Sequence, residues 1–153
     1  RVDLGELAGA VASEFRPALS VHRTALRLRL PRGPVEAVCD RERTIQIMRI
    51  LLDNALRHTP QGTPVTVIAA RQNGHAELTV RDKGPGVAAA SAGQVFERFY
   101  TENSASGSGL GLAIARELAE RMQGSITLKS RPGITAFTLA LPVAPDGRDE
   151  FKP

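Results

Sequence analysis

Three short stretches hold residue types and spacings suited to binding a phosphate ester. In residues 41–59, "RERTIQIMRILLDNALRHT", Ile47, Ile50 and Leu51, and then Asn54 and His58, fall along one side of a helix, with Asn54 at the end of the apolar stripe. An amide in that place must find a partner or cost about 1 to 3 kcal/mol. A backbone group satisfies it. So does a phosphate with its bound metal, and Arg57 sets a permanent cation one turn away. In "VRDKGPGV", residues 80–87, Asp82 closes an alternating run, and Gly84 and Gly86 follow at alternate positions. Those glycines let backbone approach a flat ligand closely. The carboxylate is then either an exposed turn acid or an acceptor for the exocyclic amine of a base.

Residues 107–112, "GSGLGL", run directly into "AIARELAERM". Successive amides at a helix start carry the positive end of its dipole and make an anion nest. Two familiar cradles fail on the neighbouring residues. A P-loop needs Lys-Ser or Lys-Thr after its last glycine, where this chain has Leu112-Ala113. A dinucleotide fingerprint needs its glycines directly after a strand and differently spaced.

The elements that position these stretches are read from periodicity. Leu4, Leu7, Val11 and Phe15 mark an amphipathic helix ending near Pro17 to Ser20. "ALRLRLP" and "PVEAVCD" alternate with a period of two and are expected to pair as a hairpin around "PRGP". Asp40 caps a second helix that Pro60 stops. "PVTVIAARQNGHAELTVRD" is two strands joined by an Asn73-Gly74 turn. From Lys83 to Gly109 the composition shifts to Gly, Ala, Ser and Asn around "VFERFYTE", the mark of a functional lid. A third helix runs from about Gly109 to Met122 and stops at Gln123-Gly124, and "SITLKS" and "TAFTLALP" form a last strand pair. This order predicts an α+β two-layer sandwich: a mixed, mainly antiparallel sheet covered on one face by three helices, with the lid between the second and third. Residues 1–143 are expected to form one domain and 144–153 a polar tail. His22 and His75 are expected as exposed turn residues.

Composition narrows the partners. The 153 residues carry a net charge of +4, but the arginines are scattered, and one Tyr, five Phe and no Trp offer little to stack on bases, so nucleic acid is not the expected partner. Cys39 is the only cysteine, which rules out an intramolecular disulfide and a zinc site built on a cysteine pair. "IQIMRILL" falls far short of the roughly 20 apolar residues of a membrane helix. Arg1 in place of an initiator Met leads us to expect a piece of a longer protein.

Taken in order, Asn54 and Arg57, Asp82-x-Gly84-x-Gly86, Phe96 and Phe99 in "VFERF", "GSGLGL", and Thr135-x-Phe137 before "LALP" form a series. Over about residues 4 to 142 the chain resembles the catalytic and ATP-binding domain of bacterial sensor histidine kinases, in the superfamily shared with gyrase-type, chaperone and mismatch-repair ATPases. The resemblance implies that Asn54 holds a magnesium ion bridging the phosphates of ATP, with Arg57 where a phosphate-contacting lysine is usual and His58 where an aromatic flanks the nucleotide. It implies that Asp82 accepts from the adenine amino group, with Thr135 supporting it from the facing strand, and that Gly84 and Gly86 make room for the ring. Gly107, Ser108, Gly109, Leu110, Gly111 and Leu112 would meet the phosphates, and Phe96 and Phe99 would anchor the lid.

The departures from the pattern are specific. Ile50 stands where the kinases often have another Asn and the hydrolases a water-activating Glu; an aliphatic chain cannot act as a base, which disfavours hydrolysis. Thr101 replaces a common Arg after "RFY", with Arg98 as the nearest substitute, and Ile134 replaces a common Gly. None of His22, His58 and His75 has the setting of a phosphoacceptor. The expected partners are therefore a dimerisation and phosphoacceptor domain of the same protein and, indirectly, a response regulator. The chain alone is expected to be a monomer on the cytoplasmic side, and the parent a homodimer anchored in a membrane. An anti-sigma-factor serine kinase of the same superfamily and a degenerate nucleotide-binding module are the alternatives.

Overall fold

The computed structural model describes residues 1–85, 96 and 110–145. Their elements are β1 (Val2–Asp3), α1 (Leu4–Glu14), α2 (Arg16–His22), β2 (Leu26–Arg29), β3 (Glu36–Ala37), α3 (Arg41–Arg57), β4 (Val65–Gln72), β5 (His75–Asp82), α4 (Gly111–Arg121), β6 (Ser125–Arg131) and β7 (Ile134–Pro142). The main sheet has the order β2-β4-β5-β7-β6, with β2 parallel to β4 and every other pair antiparallel. The α+β sandwich with a mixed, mainly antiparallel sheet is thus present. Four helices rather than three are seen among the described residues, because the first amphipathic stretch breaks at Phe15 and restarts as α2 with Pro17 in its first turn.

Alternation along the strands separates two faces. Val65, Val67 and Ala69 of β4, Ala76, Leu78 and Val80 of β5, and Phe137, Leu139 and Leu141 of β7 are buried, and they join Leu4, Leu7 and Val11 of α1 and Ile47, Met48, Leu51 and Leu52 of α3 in one core. The helices fix that core locally. Asp3 caps α1 through Gly5 N, Asp40 caps α3 through Arg43 N, and Arg49 of α3 donates two hydrogen bonds of 2.8 Å to the Glu14 carboxylate of α1. Those bonds hold the Glu14 carboxyl below its ordinary pKa.

The hairpin expected around "PRGP" does not form. β2 joins the edge of the main sheet beside β4, whereas β3 pairs with β1 in a separate two-stranded ribbon and bridges from Ala37 to Val143. Alternation specifies which side chains share a face and leaves the partner strand open. Here two prolines flank the turn, and neither Pro31 nor Pro34 can donate to a ladder. The hairpin at Asn73-Gly74 does form, with φ of 54° and 76° at the two residues. At the end of α4 the left-handed residue is Gln123, with Gly124 N donating to Ala119 O. Gly124 has another reason: a Cβ there would lie 2.5 Å from Ala140 O.

Candidate functional site

The site lies where the core face of the sheet runs out. Asp82 is the last residue of β5, the central strand, and alternation places it on the same face as Leu78 and Val80. Its neighbours in register are Val65 of β4 and Thr135 of β7. Both Asp82 and Thr135 are only 6% exposed, so a carboxylate and a hydroxyl stand side by side at the margin of an otherwise apolar layer. Burial pushes the Asp82 pKa up, opposed by a 2.9 Å hydrogen bond from Gly84 N and by the nearby His58. A desolvated carboxylate with free acceptor capacity gains most from a ligand that donates to it.

Gly84 closes tightly over this acid. A Cβ at that position would stand 2.7 Å from Thr59 Cγ2 and 2.8 Å from Asp82 Oδ1. Thr59, which sequence reasoning missed, is held at the end of α3 by its hydroxyl donating to Ala55 O at 2.7 Å. Its carbonyl meets His22 Nε2 at 3.0 Å, and the other ring nitrogen of His22 bonds to Thr24. His22 is therefore a half-buried brace between α2 and the end of α3, not the exposed turn residue expected of it.

From the same end of α3 come the other residues. Asn54 is half-buried, one turn before the exposed His58, whose N–H caps onto Asn54 O at 3.1 Å. Arg57 is exposed and paired through Nε with Asp53 at 2.9 Å. Ile50, one turn before Asn54, points its Cγ2 to within 3.3 Å of the Cβ position of Gly111, so the start of α4 abuts α3 beside the site. Leu110, Gly111 and Leu112 form that start, and among the described residues no side chain caps it. Phe96 stacks edge-on against Phe137, with ring centroids 5.9 Å apart, and beneath the Arg116 guanidinium. The structure thus brings Asn54, Arg57, His58, Asp82, Gly84, Gly111 and Thr135 to one end of the sandwich. Gly86, Arg98, Phe99, Thr101, Gly107, Ser108 and Gly109 lie outside the described residues.

The donors present suit a hard cation only in company. Among the described residues no three His, Cys, Asp or Glu side chains come together as a metal site. One amide oxygen from Asn54 fits a magnesium ion whose remaining ligands are phosphate oxygens and water.

Comparison with known proteins shows the family and the fold. The family model for histidine kinase-, DNA gyrase B- and HSP90-like ATPases matches residues 39–145. A probable sensor histidine kinase, TcrY of Mycobacterium tuberculosis, is 39% identical over 147 residues, which cover 93% of this chain and 30% of that protein. The mycobacterial sensor histidine kinase MprB superposes with a TM-score of 0.81 at 29% identity, covering 95% of this chain and 97% of the solved one. Full-length ShkA, solved in complex with AMPPNP, superposes with a TM-score of 0.80 at 26% identity, covering 95% of this chain and 31% of that one. The chain spans about a third of the length of the curated relatives it matches.

Proposed function

Because the chain belongs to the family of histidine kinase-, DNA gyrase B- and HSP90-like ATPases, we propose that it binds Mg-ATP and passes the γ-phosphoryl group to a histidine on a dimerisation domain outside this sequence, in two-component signalling. The observation that carries this reading is the buried Asp82 carboxylate, paired in register with Thr135 and closed over by Gly84. An adenine amino group is the donor such an acid lacks. Residues 1–143 act as the nucleotide-binding domain and 144–153 as its tail.

In this reading Asp82 and Thr135 orient the base, and Gly84 and Gly86 admit the ring. His58 flanks it. Arg57 exchanges its exposed partner Asp53 for phosphate oxygens, an easy exchange because a solvated ion pair contributes little. Magnesium, when bound, neutralises charge on the phosphates, and Asn54 holds it. The amides of Gly107 to Leu112, with Arg98 in place of the usual basic residue, complete the anion nest. Ile50 offers no base, so catalysis is positioning and charge stabilisation for transfer to a protein side chain. The likeness to TcrY and MprB, and the AMPPNP bound by ShkA, support this assignment. The parent is then a membrane-anchored homodimer that signals to a response regulator.

Mixing this chain with Mg-ATP labelled on the γ-phosphate and a separately produced dimerisation domain of the same parent tests the reading. Acid-labile, base-stable label on that domain is expected. Label that appears as an acid-stable phosphoester would instead favour a serine kinase.

A further inference from the structure

The face of the main sheet turned away from the core carries a charge pattern that nucleotide binding does not use. The register sets Arg27 of β2, Thr66 of β4, Arg81 of β5, Ala136 of β7 and Lys129 of β6 in one row across all five strands. With about 4.8 Å between strands, the row spreads its three cations over roughly 19 Å. Arg29 and Arg131 stand on the same face by alternation. Against these five cations, Glu77 is the only carboxylate on this face among the described residues. None of the five is paired with an acid in the structure's described part. Between them lie Thr66, Ala136 and the Thr79–Thr138 hydroxyl pair at 2.9 Å, with Ile68 beside Arg29 and Ile134 beside Arg131.

We propose that this open sheet face docks on an anionic lipid surface. A plane of phosphates is the partner whose shape and charge match it: the cations are dispersed over the sheet instead of gathered in a groove, and among the described residues no Phe, Tyr or Trp stands there to stack on the bases of a nucleic acid. The arrangement is also compatible with the nucleotide site, because Asp82 and Thr135 point to the opposite face, where α1, α3 and α4 lie. Docking would hold the sheet down and leave the nucleotide site facing solvent.

Co-sedimentation of the chain with vesicles tests the proposal. Binding is expected to vesicles containing phosphatidylglycerol, to be absent with phosphatidylcholine alone, and to fall as salt is raised. The triple variant Arg27→Gln, Arg81→Gln, Lys129→Gln should lose roughly fivefold in partition per charge, about a hundredfold together. Its nucleotide affinity should be unchanged, which shows that the fold is intact. Equal binding to neutral vesicles, or an unaltered triple variant, overturns the proposal. So does tighter retention on duplex DNA or on an acidic protein than on the anionic vesicles at matched salt.

Discussion

Asp82 and Thr135 stand opposite one another on antiparallel strands, the last buried position of β5 and the first of β7, and both are only 6% exposed. Every other core-facing position of β5 up to that point, Ala76, Leu78 and Val80, is apolar. Desolvation there raises the pKa of the acid, which disfavours its charged form.

Asp82→Asn should therefore stabilise the unliganded protein at neutral pH. Burial raises the native pKa of Asp82 above its unfolded value. The neutral form's contribution to stability is complete below the unfolded value and is lost as pH rises through the native one, beyond which the ionised acid weakens the fold. Urea unfolding of wild type and variant should show the variant ahead at pH 7 and the two converging on acidification through the carboxylate range. A variant less stable than wild type at neutral pH would mean that the carboxylate is stabilised by its surroundings.

Gly84→Ala should lower stability by about 1 to 3 kcal/mol, as overpacking does. The added methyl would collide with Thr59 Cγ2 and with Asp82 Oδ1. Thr59→Ser removes that methyl and keeps the hydroxyl bond to Ala55, so the double variant should recover part of the loss. Additive losses in thermal unfolding would place the conflict elsewhere.

Ile50 packs against the start of α4 and cannot accept a proton. Phosphate release from Mg-ATP by the chain alone should stay at the background of ATP in solution. Steady turnover would mean that another residue activates water.

Much of the layout was legible in residue order. The Asn73-Gly74 turn requires two left-handed residues in succession and so specified its hairpin, and Asp40 and Pro60 bounded α3. What escaped was long-range. The alternating "LRLR" disclosed a strand but not that it lies parallel to β4, and the ring of His22 looked solvent-facing because its partner, the Thr59 carbonyl, is 37 residues away. At the site, periodicity put Asp82 at a strand end. Its neighbour Thr135 could be named only through the resemblance, since nothing local to residues 80–87 points to β7. Thr59 carried no chemical signal, because its methyl group does the packing.

The most direct measurement is titration of a fluorescent ATP analogue, with and without magnesium, against wild type, Asp82→Asn and Asn54→Ala. Wild type should bind, and Asp82→Asn should bind about tenfold to a hundredfold more weakly in either condition, as loss of a charged hydrogen bond of roughly 1.5 to 3 kcal/mol requires. Asn54→Ala should lose affinity mainly when magnesium is present. Unchanged affinity in Asp82→Asn would contradict the account, because the buried acid beside Thr135 would then not be where the base is held.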